Sequence, residues 1–298
     1  QIKAEYAWSQ GWTGKGVTVA VIDTGYSSTQ KSDRIVNLAQ GKNFLDGSAN
    51  VDDTLNHGTH VAGIIAAPLN GTGVVGVAPD ATILPLKAVG TSLSAAQMAT
   101  IANAVDYAAQ QKVHVINMSI GYFTSYDMAT KDTSAIDAAF GQAYLKAVQA
   151  GSTVVVAAGN NGMSCQPFVT KYDWSKSDPV VNKPLYCSFP AALPAVAGYE
   201  SLTTSKGGWI VVGAVDSNNN LASFSNKAGV MKDYYMVAPG VGITSTVAND
   251  ATADKNGTSM AAPYVSGAVA LLSQKFPYLT GSQKAAILFQ TATALGAP

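Results

Sequence analysis

Three short segments carry side chains that together could cleave an acyl bond. Residues 19–25 (VAVIDTG) supply a carboxylate at Asp23, residues 56–63 (NHGTHVAG) an imidazole at His57, and residues 256–263 (NGTSMAAP) a hydroxyl at Ser259. A serine hydroxyl is a poor nucleophile at neutral pH, so its attack needs a base of suitable pKa, which a neutral imidazole provides. The imidazole must present the right tautomer and then carry positive charge, which calls for a carboxylate on its other nitrogen. Singly, a strand-end aspartate is a plain surface acid and a serine in such a run is a helix cap. Jointly, the three describe nucleophilic catalysis.

The flanking pattern shows how these groups are positioned. Residues 17–22, apolar but for Thr18, read as a fully buried parallel strand that delivers Asp23 at its carboxyl end, where open α/β sheets collect their functional groups. Residues 260–272 read as a helix buried nearly all round. Ser259 then lies in its first turn, where free N–H groups favour developing negative charge. Gly257 lets the chain approach the site without a side chain, and Gly267 allows close approach of a neighbouring element. Further strands are expected at 82–89, 113–120, 153–158 and 209–215, and helices at 94–111 and 134–150. That alternation predicts an α/β three-layer sandwich, a mostly parallel sheet covered by helices on both faces. No repeat or low-complexity linker interrupts it, so residues 1–298 read as one catalytic domain. His60 is expected to be a structural helix residue, since no acidic residue stands near it and His57 at metal-ligand spacing. His114 reads as an ordinary strand histidine, and Met260 as packing beside the nucleophile.

The three segments, in the chain order Asp, His, Ser, resemble those of the subtilisin-like serine proteases, the subtilases. The likeness runs from Gln1 almost to Pro298 and includes residues 1–4, 9–14, 76–79, 115–121, 155–162 and 212–216 in the family's order. It implies that Asn160 is an oxyanion-hole donor beside the Ser259 N–H. It also implies that Ser119, Ile120 and Gly121 form one edge of the substrate's P1 pocket, and Ala157, Ala158 and Gly159 the other. Leu93, Ser94 and Ala95 fall where the family pairs an extended strand with the substrate backbone, so substrate would bind by strand addition. Asp33 with Asn70, Thr72 and Val74 resembles part of a structural calcium site whose N-terminal portion is missing here, so calcium stays open; catalysis requires no cofactor. Residues 189–194 and 207–213 also resemble, less closely, the protease passengers of autotransporters. The implied activity is a secreted serine endopeptidase acting on protein or peptide, with a pro-segment or inhibitor as a further partner. A peptide ligase on the same triad and a non-catalytic binding module are the alternatives. The ligase stays open, since it differs only in taking an amine in place of water as acceptor, whereas the intact triad and Asn160 argue against a binding module. A lipase-type nucleophile elbow is excluded, because the serine segment lacks the second glycine.

Composition agrees. The 298 residues are 47% hydrophobic and only 12% charged, and 18 cationic side chains balance 18 anionic ones. A neutral chain gives no electrostatic reason for nucleic-acid binding, and no apolar run is long enough to span a bilayer. A monomer that opens directly on Gln1, without a signal-peptide pattern, looks like a mature or excised extracellular domain. The two cysteines, Cys165 and Cys187, bracket a stretch longer than the family's usual one. A disulfide closing this loop of about 20 residues would contribute roughly 3 kcal/mol in the chain-entropy model and implies an oxidising compartment; two unrelated thiols are the alternative. Residues 122–133, 163–188 and 196–208 look like insertions, the first two beside the expected P1 pocket.

Overall fold

The computed structural model describes residues 2–31, 35, 41–91, 95–121, 134–164, 191, 193–195, 201–204 and 206–295. Seven strands form one sheet: β1 (Thr18–Asp23), β2 (Lys42–Asn43), β3 (Thr82–Lys87), β4 (Val115–Met118), β5 (Thr153–Ala157), β6 (Trp209–Val215) and β7 (Tyr235–Pro239). Their order is β2-β3-β1-β4-β5-β6-β7 and every pairing is parallel. Strands β8 (Ile243–Val247) and β9 (Ala251–Lys255) form a separate antiparallel hairpin. The helices are α1 (Ala4–Ser9), α2 (Gly58–Ala66), α3 (Ala95–Gln110), α4 (Ser134–Gln149), α5 (Ser201–Thr204), α6 (Thr258–Lys275) and α7 (Gly281–Thr291).

Alternation along the strands explains the three layers. Ala20 and Ile22 of β1 join the core that contains Val105 of α3 and Tyr144 of α4, whereas Val19 and Val21 join the core that contains Ile65 of α2 and Val265 of α6. A strand apolar on both faces can be buried only between two layers of helices. The expected fold class is therefore the observed one. Tyr144 meets Trp209 edge to face at a centroid distance of 5.1 Å, which pins α4 to β6.

From β1 the chain goes to the edge strand β2, returns to β3 beside β1, then crosses past β1 to β4. The winding reverses between β1 and β4, so a crevice opens at their carboxyl ends. Two strand ends are given up to that crevice. The strand expected over 113–120 stops at Met118, and the one expected over 82–89 stops at Lys87, where the Ala88 N–H makes a last bond to the Asp23 carbonyl and the Val89 N–H shares that oxygen. The helix expected over 260–272 is longer, Thr258–Lys275. The β8–β9 hairpin was not anticipated. Its tip holds Asn249 and Asp250 at φ of 62° and 56°, conformations that Asn and Asp tolerate better than most residues. The hairpin lies on α2, where the Ser245 and Thr246 hydroxyls donate to the His60 and Thr59 carbonyls.

Gly267 occupies the crossing of α6 with the segment before β3. A Cβ there would lie 2.5 Å from Val77 Cβ. Replacing Gly267 by Ala is expected to cost about 1–3 kcal/mol from overpacking, read as a lower denaturant midpoint at unchanged slope. An unshifted midpoint would mean that the Val77 segment yields freely.

Candidate active site

Asp23 ends β1 and is wholly buried. One of its carboxylate oxygens, Oδ1, accepts from the Thr24 N–H at 2.7 Å and lies 2.7 Å from His57 Nδ1. His57 stands at the N-terminus of α2, with its side chain 29% exposed. A carboxylate only accepts, so Nδ1 carries the hydrogen and Nε2 keeps its lone pair. Burial pushes the His57 imidazole down, but the Asp23 charge and hydrogen bond outweigh it. With Asp53 adding to them and Lys255 opposing, the imidazole is raised above its ordinary 6.5.

Ser259 is the second residue of α6, as its place in the sequence suggested. Gly257 precedes it at φ 152°, a conformation that L side chains rarely adopt. The Ser259 hydroxyl donates to the Ser119 carbonyl at 2.7 Å, and the Ser119 hydroxyl donates back to the Ser259 carbonyl at 2.8 Å. Pro263 lies four residues on and has no N–H to offer that carbonyl, so the Ser119 hydroxyl replaces the missing helical bond.

Asn160 follows β5. Its Oδ1 accepts from both the N–H and the hydroxyl of Thr258, at 2.8 and 2.9 Å. A backbone N–H can only donate, so this fixes the amide with Nδ2 on the opposite side. His57, Ser259 and Asn160 line one cleft of about 280 Å³, together with Ser119, Ile120, Gly121, Ala157 and Gly159. Ala158, between Ala157 and Gly159, is buried in the core on the α3 and α4 side. Thr24, Val89, Asn161 and Thr258 also line the cleft and were missed. Only Thr24 and Thr258 carried a signal, as hydroxyl residues adjacent to Asp23 and Ser259.

Of the substrate strand, Leu93 and Ser94 lie outside the described residues. Ala95 is the first residue of α3 and not part of an extended edge, since the chain is already helical there. Cys165 and Cys187, most of the three insertions, and Asp33 also lie outside the described residues. In the expected calcium loop, Asn70 Oδ1 is taken by the N–H and hydroxyl of Thr72, both at 3.0 Å. Asn70, Thr72 and Val74 thus do not by themselves make a calcium site, which needs six to eight oxygens. Among the described residues no three His, Cys, Asp or Glu side chains group around a metal position. His60 is buried and faces the hairpin, its Nε2 lying 2.9 Å from the Ala253 carbonyl. His114 Nδ1 accepts from the Thr18 N–H.

The subtilase family model matches residues 14–298. Subtilisin DY of Bacillus licheniformis is 37% identical over 295 residues, covering 99% of this chain and 90% of that protein. Subtilisin E of Bacillus subtilis is 38% identical over 297 residues, and this chain spans 65% of its length. Among solved structures, MycP1 with its N-terminal propeptide removed superposes with a TM-score of 0.70 at 30% identity, covering 98% of this chain and 88% of that one. A cold adapted subtilisin-like serine proteinase gives 0.69 at 28% identity, covering 96% and 85%.

Titration of the His57 ring by NMR is expected to give a midpoint above 6.5. In Asp23→Asn the charge that raises it is gone while the burial that lowers it remains, so the midpoint should fall below that of the wild type. Equal midpoints would show that Asp23 does not hold the imidazole.

Proposed function

Because the chain belongs to the subtilase family and is a serine endopeptidase of the subtilisin type, we propose that it cleaves peptide bonds through an acyl-enzyme on Ser259. The reading is carried by the 2.7 Å Asp23–His57 pair opening on the same cleft as Ser259 and Asn160. The substrate lies extended along the cleft, with its P1 side chain between the Ser119–Gly121 and Ala157–Gly159 walls. Small and apolar wall residues suit medium or large apolar P1 groups.

The Ser259 hydroxyl turns about its Cα–Cβ bond from the Ser119 carbonyl to His57 Nε2, which takes its proton as the oxygen attacks. Asp23 holds the tautomer and offsets the imidazolium charge. The oxyanion is met by the Ser259 N–H in the first turn of α6 and by Asn160 Nδ2. His57 then protonates the leaving amine, and a water repeats the sequence to release the acid. Each step uses protein groups and water alone. A pro-segment or inhibitor would occupy the same cleft. An extracellular site of action fits the Bacillus subtilisins it resembles.

Ser259→Ala is expected to abolish both peptide hydrolysis and labelling by a fluorophosphonate while leaving the unfolding midpoint unchanged; retained hydrolysis would remove the assignment. Asn160→Ala should lower kcat by about 10² to 10³, the effect known for subtilisin when this donor is lost, with KM nearly constant. A change confined to KM would mean that Asn160 binds substrate without meeting the oxyanion.

A further inference from the structure

Asp53 lies four residues before His57 and is 3% exposed. Among the described residues no cation forms an ion pair with it. Five donors converge on its carboxylate instead. Oδ1 accepts from the Thr24 hydroxyl at 2.9 Å and from the Leu55 and Asn56 N–H groups at 2.9 and 3.0 Å. Oδ2 accepts from the Thr59 N–H at 2.9 Å and the Thr59 hydroxyl at 2.7 Å.

These donors belong to the elements that carry the proposed acid–base pair. Thr24 adjoins Asp23 at the end of β1, and its hydroxyl oxygen also accepts from the Gly58 N–H at 2.9 Å. Thr59 lies in the first turn of α2, immediately beyond His57 and Gly58. Asn56 precedes His57 with φ at 59°, a left-handed conformation that Asn tolerates better than most residues. One carboxylate therefore ties together Thr24 at the end of β1, the loop residues Leu55 and Asn56 that lead to His57, and the first turn of α2.

Its charge has a second consequence. His57 stands at the N-terminus of α2, where the helix dipole disfavours a cation. The charged groups that bear on it are Asp23 from β1, Asp53 from the preceding loop and Lys255 from β9, and His60 is coupled to it from within α2. Asp53 and Asp23 favour the imidazolium; Lys255 opposes it. Burial raises the Asp53 carboxyl, but its hydrogen bonds to Thr59, Leu55 and Thr24 hold it below 3.8, so it is anionic wherever His57 titrates.

We propose that Asp53 is a positioning residue for peptide hydrolysis, locking His57 against Asp23 and stabilising the imidazolium that forms in each turnover. The inference rests on the acyl-enzyme reading given above. Asparagine is a poor substitute, since its NH₂ would face donors where the carboxylate accepts.

The test compares wild type with Asp53→Asn, Thr59→Val and Thr24→Val. The measurements are steady-state kinetics on one peptide, the pH profile of kcat/KM, the His57 NMR titration and the unfolding midpoint. Asp53→Asn should lower kcat roughly 10-fold to 100-fold with KM within about twofold. Losing a negative charge disfavours imidazolium, so His57 releases its proton at lower pH, and the acid limb and NMR midpoint should both move down. Thr59→Val and Thr24→Val keep the charge, so kcat should fall while the acid limb stays in place. If Asp53→Asn does not fold, these two hydroxyl variants decide: wild-type kcat in both overturns the proposal. A folded Asp53→Asn enzyme with wild-type kcat and acid limb also overturns it, while Ser259-dependent hydrolysis by the wild type leaves the acyl-enzyme reading intact. Absence of Ser259-dependent hydrolysis in the wild type would overturn both.

Discussion

Two helices begin where the strands end, and neither caps itself. The first N–H groups of any helix have no partner within it, and leaving one buried and unpaired costs about 1–3 kcal/mol. At α2 and α6 the positions that would ordinarily supply a capping side chain are held by His57 and Gly257, and neither makes a cap hydrogen bond. The bonds come from elsewhere in the chain. Thr24 and Asp53 take the Gly58 and Thr59 N–H groups of α2, and Asn160 takes the Thr258 N–H of α6. Helix α7, remote from the cleft, keeps the ordinary arrangement, a capping box between Thr280 and Gln283. Around the cleft, capping and aiming are thus done by the same side chains.

The same exchange of partners continues into the interior of α6. Pro263 leaves the Ser259 carbonyl without its helical donor, and the Ser119 hydroxyl fills the vacancy. That hydroxyl accepts from Asn117 Nδ2 at 2.9 Å, and Asn117 Oδ1 accepts from the Ser266 hydroxyl at 2.7 Å. Asn117 and Ser266 are wholly buried, so each bond is made in low dielectric and each group would be costly if left alone. The relay fixes the first turn of α6 to the end of β4. It thereby fixes the proposed nucleophile relative to the wall that would receive the P1 side chain.

What was legible in the sequence followed from periodicity and from motif. The short, β-branched apolar run 17–22, broken only by Thr18, reads as a strand covered on both faces, and the three motif segments already named Asp23, His57 and Ser259. Hairpin β8–β9 escaped because Thr244, Ser245 and Thr246 break the apolar signal, although Ile243 and Ser245 are buried against α2. Asp53 escaped for a related reason. It sits in a polar stretch that reads as a solvated loop, and its partners in the fold include Thr24, 29 residues upstream.

Asn160 shows how scaffold and chemistry become inseparable at such a site. Its oxygen takes two hydrogens from Thr258, so a flipped amide would set NH₂ against a backbone N–H that cannot accept. The orientation that satisfies α6 is then the one that leaves Nδ2 free on the other side. Aspartate could satisfy the helix equally well but would present an oxygen in place of a donor. A donor held by the fold before substrate arrives needs no reorganisation when charge develops, which makes such a group effective beyond the strength of one hydrogen bond. Capping α6 therefore fixes how the amide is turned, whereas the choice of an amide over a carboxylate answers to the proposed oxyanion, which needs the donor that only the amide carries.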